Sequence, residues 1–195
     1  MKTIVSFGDL TRQFAVSIRI LPVTVAICSG LYIIIVLLAA QIVPYSASGS
    51  LIRSENGQVV GSECIAQQFS RPEYFWPRPS AVSWNAAAAG GSNLSPASLV
   101  MRQRTEKLLA VYALKKGQRV PADLVTASGS GLDPDISFSA ASFQAARVAH
   151  ARDLALDRVM SLVNTHAAGR RSAVLQDEPL VNVLVLNREL DRLKH

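Results

Sequence analysis

The chain has 195 residues, 49% of them hydrophobic, enough for one domain with a core plus an appendage. Its net charge of +6 is modest and scattered, so it does not read as a nucleic-acid surface. The two cysteines, Cys28 in an apolar run and Cys64 in a polar region, are not expected to bridge; Cys28 is assigned to packing and Cys64 to a small buried strand position.

Residues 1–19 form a short mixed head carrying Lys2, Arg12 and Arg19. From Ile20 to Ala40 there is no charged residue. As a helix that run is about 30 Å long, the thickness of a bilayer's hydrocarbon core. Pro22 is placed in its first turn, where a missing N–H costs little. The run is longer than a signal peptide's apolar core, and Ser46-Ala47-Ser48 is a poor cleavage site far from its end, so an uncleaved transmembrane helix is predicted over 20–43. The first basic residue after it is Arg53. The positive-inside rule therefore places residues 1–19 in the cytoplasm and residues 44–195 outside it, as a single-pass protein of a bacterial inner membrane. Ala26 and Gly30, with Ser29 beside them, would let another helix approach closely.

Gly49 to Phe69 reads as a hairpin around Asn56-Gly57, the signature of a type I′ turn. Residues 71–96, dense in Pro, Gly, Asn and Ser, form a long irregular segment, and Tyr74, Phe75 and Trp76 argue that it is ordered. A helix is predicted after Ser95, with Ser95 as cap, Pro96 in the first position, Leu94 stapled to Leu99, and Gly117 as the stop.

The stretch from Pro121 to Ile136 cannot continue as a regular element past Ala127. Gly129 and Gly131 allow positive φ, and Pro134 fixes its own. A tight polar loop follows, with carboxylates at Asp123, Asp133 and Asp135. These acids would either raise the local cation concentration or cap helices and satisfy the loop's own N–H groups. Ser137 is predicted to cap a helix running to about Ala151, on which Gln144 and Arg147 share a face. A third helix over Leu156 to Val163 is expected to close near Gly169. The apolar run Val181 to Leu186 reads as a buried strand, and Asn187 to Leu193 as a short terminal helix. The class is α+β: one N-terminal transmembrane helix followed by a single mixed soluble domain.

No G-x-x-x-x-G-K-[ST] is present, and Ser128 stands where a G-x-S-x-G would need its first glycine. His150, His166 and His195 are dispersed, the first two in helix-end positions. An enzyme survives only as the alternative of a membrane-anchored extracytoplasmic hydrolase assembled from distant residues.

Several stretches together resemble the C subunit of the bacterial Kdp potassium-transporting P-type ATPase. They are Gly49-Ser50-Leu51-Ile52, Gly61-Ser62 with Ile65-Ala66-Gln67, Tyr74-Phe75 with Arg78-Pro79-Ser80-Ala81, Gly90 to Leu94, Val120 to Asp133, Gln144 with Arg147-Val148-Ala149 and Ala151-Arg152, and Val181 to Leu184 with Leu186-Asn187. The chain departs from the family pattern at Ala66, Phe138, Ala146 and Val185, and the loss of prolines at 138 and 146 is expected to loosen the start and bend of that helix. The resemblance implies a non-catalytic accessory subunit of an ATP-driven potassium transport complex. Its partners would be a catalytic P-type ATPase subunit, a channel-like potassium-binding subunit and a small single-span subunit. It implies a catalytic-chaperone role in ATP use, with Gln144 and the loop Ser128-Gly129-Ser130-Gly131 associated with the nucleotide. Potassium is the transported ion. The charge pattern, however, puts the soluble domain on the side without ATP. It predicts that the domain caps the potassium entrance or braces the complex.

Overall fold

A computed structural model describes residues 7–54, 56–112, 114, 117–167 and 178–193. The chain divides into two units, residues 1–49 and 50–195.

The first unit is one long helix followed by a short one. α1 (Phe7–Val25) runs into a π-helical segment (Ala26–Leu31), then α2 (Tyr32–Ala40), and α3 (Pro44–Ala47) follows. Gly8–Ala40 is apolar enough to cross a membrane, and its 33 residues make a rod of about 50 Å. The helix begins well before the charge-free run and includes residues 7–19. Pro22 lies inside α1, not in a first turn. A proline there removes one backbone hydrogen bond and clashes with the preceding turn. The π segment opens four residues later, and such adjustments let a span re-satisfy its backbone after a break. Ala26 and Gly30 both fall within it, and nothing lies within 4 Å of where a Gly30 Cβ would stand.

The second unit is α+β, as expected. β1 (Leu51–Arg53) and β2 (Val59–Ser62) form an antiparallel hairpin with a bulge between Ile52 and Arg53. Gly57 carries a positive φ of +78°, its N–H donates to Ser54 O at 2.9 Å, and Ser54 N–H donates to Gln58 O at 2.8 Å. Asn56 stays at negative φ, so the connection is not a type I′ turn, which needs both central residues left-handed. Cys64, expected to be buried, is exposed just past β2.

α4 spans Leu99–Val111. It starts three residues later than predicted, because Ser95 is spent on a local turn: its Oγ accepts from Ala97 N–H at 3.3 Å and its carbonyl from Ser98 N–H at 2.9 Å. The helix also ends ahead of Gly117, at Tyr112, and none of its residues is fully buried.

The core is built from two strand–helix units. β3 (Asp135–Ser137) leads into α5 (Phe138–Arg152), and β4 (Leu180–Asn182) leads into α7 (Val183–Arg192). The strands pair antiparallel with Ile136 opposite Val181. Each strand's last residue caps the helix that follows: Ser137 Oγ accepts from Ala140 N–H at 3.1 Å, and Asn182 Oδ1 from Val185 N–H at 3.0 Å. The predicted strand over 181–186 is therefore a three-residue strand and the start of a helix. An apolar run with an amide in it does not distinguish the two. The capped start of α5 also removes the expected looseness at Phe138. α6 (Leu156–Ala167) packs on α5, whose small residues Ala141, Ala145 and Ala149 let it come close. The stop expected at Gly169 lies outside the described residues. Ile136, Val148, Val159, Val163, Val181 and Leu186 are all at or below 1% exposure, as is Phe75 from the irregular segment.

Candidate functional site

Residues 71–74 form a turn, closed by Tyr74 N–H donating to Arg71 O at 3.2 Å, and lead into a strap over 75–80 that pairs with no strand among the described residues. Phe75 is wholly buried, so its peptide groups need partners. Side chains supply them. Asn187 on α7 accepts from Phe75 N–H at 2.8 Å and donates to Phe75 O at 3.0 Å. Gln144 on α5 does the same for the next residue, accepting from Trp76 N–H at 2.8 Å and donating to Trp76 O at 3.1 Å. Two side-chain amides thus imitate a neighbouring strand on consecutive peptides.

The carbonyls before them are taken by arginines of α5. Arg147 donates to Pro72 O, to Tyr74 O at 3.1 Å and to Gln144 Oε1 at 2.8 Å. Arg152 Nε donates to Glu73 O at 2.6 Å, and its guanidinium, with the side chain 1% exposed, pairs with Asp191 at 2.8 Å. Arg147 lies 3.9 Å over the Trp76 ring, which in turn packs on Tyr112, and Tyr112 on Phe143.

Burial raises the Tyr112 pKa to about 12, against the pull of the Arg147 charge, with Asp123 adding to the rise. Burial lowers Arg147 to about 10, opposed by Tyr112. At neutral pH the phenol is neutral and the guanidinium charged. An acid with a raised folded pKa stabilises the fold below its unfolded value and loses that contribution as pH climbs. Tyr112 therefore weakens the fold between a tyrosine's ordinary value of 10.0 and about 12. Arg147 acts oppositely, since the folded state sheds its proton first and gains stability as pH rises above about 10. Tyr112→Phe should flatten the alkaline loss of stability. Denaturant midpoints of wild type and variant, compared below and above the tyrosine's ordinary pKa, check this; equal alkaline losses would refute it.

The central loop holds the strap's other end. Ser128 N–H donates to Pro79 O at 3.1 Å, and Ser80 Oγ to Gly131 O at 2.7 Å. Gly90 N–H donates to Ser130 O at 2.8 Å. Gly131 has the positive φ, +69°; Gly129 does not need one. Leu124 sits in a 3₁₀ turn (Ala122–Leu124) and is buried. Ser128 is 2% exposed, and its Oγ has no partner among the described residues.

Asp123 and Asp133 have defined partners. Asp123 accepts from Ser137 N–H at 2.7 Å, and Asp133 accepts from Asp135 N–H at 3.2 Å and pairs with Arg78 at 3.0 Å. Asp135 belongs to β3 rather than to the loop. All three line a cavity of about 390 Å³ together with Arg78 and Glu178. Neither Gln144 nor residues 128–131 line it. The residues that the sequence associates with nucleotide and those it associates with cations thus do not share this pocket. Asn187 and Arg152 were missed. The signal at Asn187 was an amide directly after the apolar run Val183 to Leu186; Arg152, the last residue of α5, carried none beyond its place at a helix end.

His150 and His166 occupy the last turns of α5 and α6, as expected; His195 lies outside the described residues.

A family model described as the K+-transporting ATPase c chain, KdpC, matches residues 14–192. The chain belongs to the KdpC family. A potassium-transporting ATPase KdpC subunit from Parvibaculum lavamentivorans is 47% identical over 184 residues, covering 94% of this chain and 98% of that one. One from Myxococcus xanthus is 45% identical over 186 residues, covering 92% and 87%. One from Burkholderia mallei is 51% identical over 156 residues, covering 76% and 79%. Membership of the KdpC family makes this chain a subunit of a potassium-transporting ATPase and bears out the resemblance read from the motifs.

Proposed function

We propose that the chain is an accessory, non-catalytic subunit that braces the potassium pump from the extracytoplasmic side, or caps its potassium entrance. Its partners are the catalytic P-type subunit, the channel-like potassium-binding subunit and the small single-span subunit. Its effect on ATP use is indirect. The observation that carries this is the state of Gln144. It is 1% exposed, its Oε1 accepts two hydrogen bonds, and its amide nitrogen is spent on Trp76 O. A side chain so enclosed offers no face to a nucleotide. The chaperone effect then comes from shaping the strap and the loop, and through them the surface offered to the pump. Lys2, Arg12 and Arg19 ahead of the span support the orientation.

Cation steering by Asp123, Asp133 and Asp135 is the second reading, favoured by a cavity with four carboxylates against one arginine.

Thiol labelling tests the orientation. A membrane-impermeant maleimide applied to intact spheroplasts should modify Cys64, or a Lys107→Cys variant on the exposed side of α4. Labelling only after the inner membrane is opened would place the domain with the nucleotide and overturn the indirect role.

A further inference from the structure

A groove of about 930 Å³ runs between the β1–β2 hairpin, the turn ahead of the strap and α7. Among the described residues its walls carry Arg71, Arg188 and Arg192 against one acid, Asp191. That acid is already spent, since Asp191 accepts from Arg152 at 2.8 Å and from the Tyr74 hydroxyl at 3.2 Å. Arg71 and Arg192 each give one N–H to a glutamate, Glu73 and Glu189. Arg188 has no carboxylate partner among the described residues, and its Nη2 donates to Arg53 O at 2.9 Å. The groove thus holds a surplus of guanidinium N–H groups over an apolar floor that includes Phe69 and Leu184.

Its edge is apolar as well. Val60 lines it, and Val59 and Val60 are 49% and 45% exposed on β2. Exposed valines beside unspent arginines are what a surface needs to meet a lipid headgroup layer: hydrocarbon for the interface, bidentate donors for phosphate.

We infer that this groove binds the phosphate headgroup of an anionic phospholipid, with Arg71, Arg188 and Arg192 on the phosphate and the Val59–Val60 edge at the membrane interface. The inference is independent of which leaflet is involved, and so of the proposed orientation.

The test uses the full chain with Cys28→Ser and Cys64→Ser, and a bimane label on Val59→Cys. It is reconstituted in nanodiscs of phosphatidylcholine alone or in equal parts with phosphatidylglycerol, with brominated acyl chains as quencher. Quenching should rise with phosphatidylglycerol. In Arg188→Gln/Arg192→Gln about 30-fold more of that lipid should be needed for half the effect, at roughly fivefold per arginine. Arg188→Lys/Arg192→Lys should keep most of the response. Among the described residues Arg192 pairs with Glu189, and Arg192→Gln alone should shift the response about fivefold without disturbing the fold. Equal quenching in both disc types, or a response unchanged by the glutamine variants, would overturn the inference. So would soluble glycerol phosphate giving the same bimane change in phosphatidylcholine discs, which would mark a site for free phosphates. Protection that appears only with the partner subunits, whatever the lipid, would assign the groove to an acidic protein segment instead.

Discussion

Asn187→Ala should lower the unfolding temperature of the detergent-purified chain by roughly 10 °C. The side chain is 1% exposed and holds both polar groups of the Phe75 peptide, which is itself fully buried. Removing it strands one N–H and one C=O away from water, at about 1–3 kcal/mol each. The total of about 3–5 kcal/mol converts to that shift for a chain of this size. Asn187→Asp should be no better. A carboxylate keeps the acceptor for Phe75 N–H but loses the donor and sets a charge against Phe75 O. Gln144→Ala should cost a similar amount, and the double variant less than the sum, because both amides hold adjacent peptides of one strap. Thermal scans of the single and double variants, with Lys107→Ala as an exposed control, measure this. A loss below about 1 kcal/mol for Asn187→Ala would mean that water replaces the clamp and that the strap is not held as described.

Gly131→Ala should be nearly as damaging, and Gly129→Ala close to neutral. A Cβ at Gly131 would stand 2.7 Å from Gly90 O and 2.7 Å from a Val82 methyl, on a backbone with φ of +69°. The left-handed backbone alone costs about 1–2 kcal/mol for alanine, and a clash with backbone has no rotamer to relieve it. A total of about 2–4 kcal/mol is expected. At Gly129 a Cβ meets nothing within 4 Å, and its φ is not left-handed. This pair separates two accounts of Ser128 to Gly131. A loop that wraps a nucleotide by close backbone approach needs both glycines. A loop that braces the strap needs only Gly131. Thermal stability and potassium-stimulated ATP hydrolysis of the assembled complex should fall together for Gly131→Ala and stay near wild type for Gly129→Ala. Lost hydrolysis with unchanged stability at Gly129→Ala would restore direct nucleotide contact.

The parts of the fold legible in the sequence were those that local chemistry decides. The absence of charge from Ile20 to Ala40 gave the span, and Ser137 gave the start of α5, because a cap needs only its own neighbours. Asn182 carried the same signal and was read as a strand residue, since Val and Leu around an amide suit either element. Ser95 carried it falsely, because a serine before a proline also serves a turn. The strap was legible as ordered but not as held. Nothing near Phe75 and Trp76 tells where their partners lie, and Gln144 read in isolation looks like a binding residue because amides serve both ends. Its true neighbours are fixed by how β3 and β4 pair, which is a tertiary fact.

A strap paired by side chains rather than by a strand has a consequence for how the protein is made. Phe75 is separated from Asn187 by 112 residues, and Glu73 from Arg152 by 79. At roughly 5–20 residues per second, a ribosome needs several seconds to more than twenty to deliver the second partner after the first. Through that interval the span is available for insertion, while Tyr74, Phe75 and Trp76 have left the exit tunnel with their peptide groups unmatched. The soluble unit cannot lock from its own N-terminal side. Helix α7 acts as a late latch, and the interval before it arrives is when proteases, chaperones and neighbouring nascent chains compete for the strap.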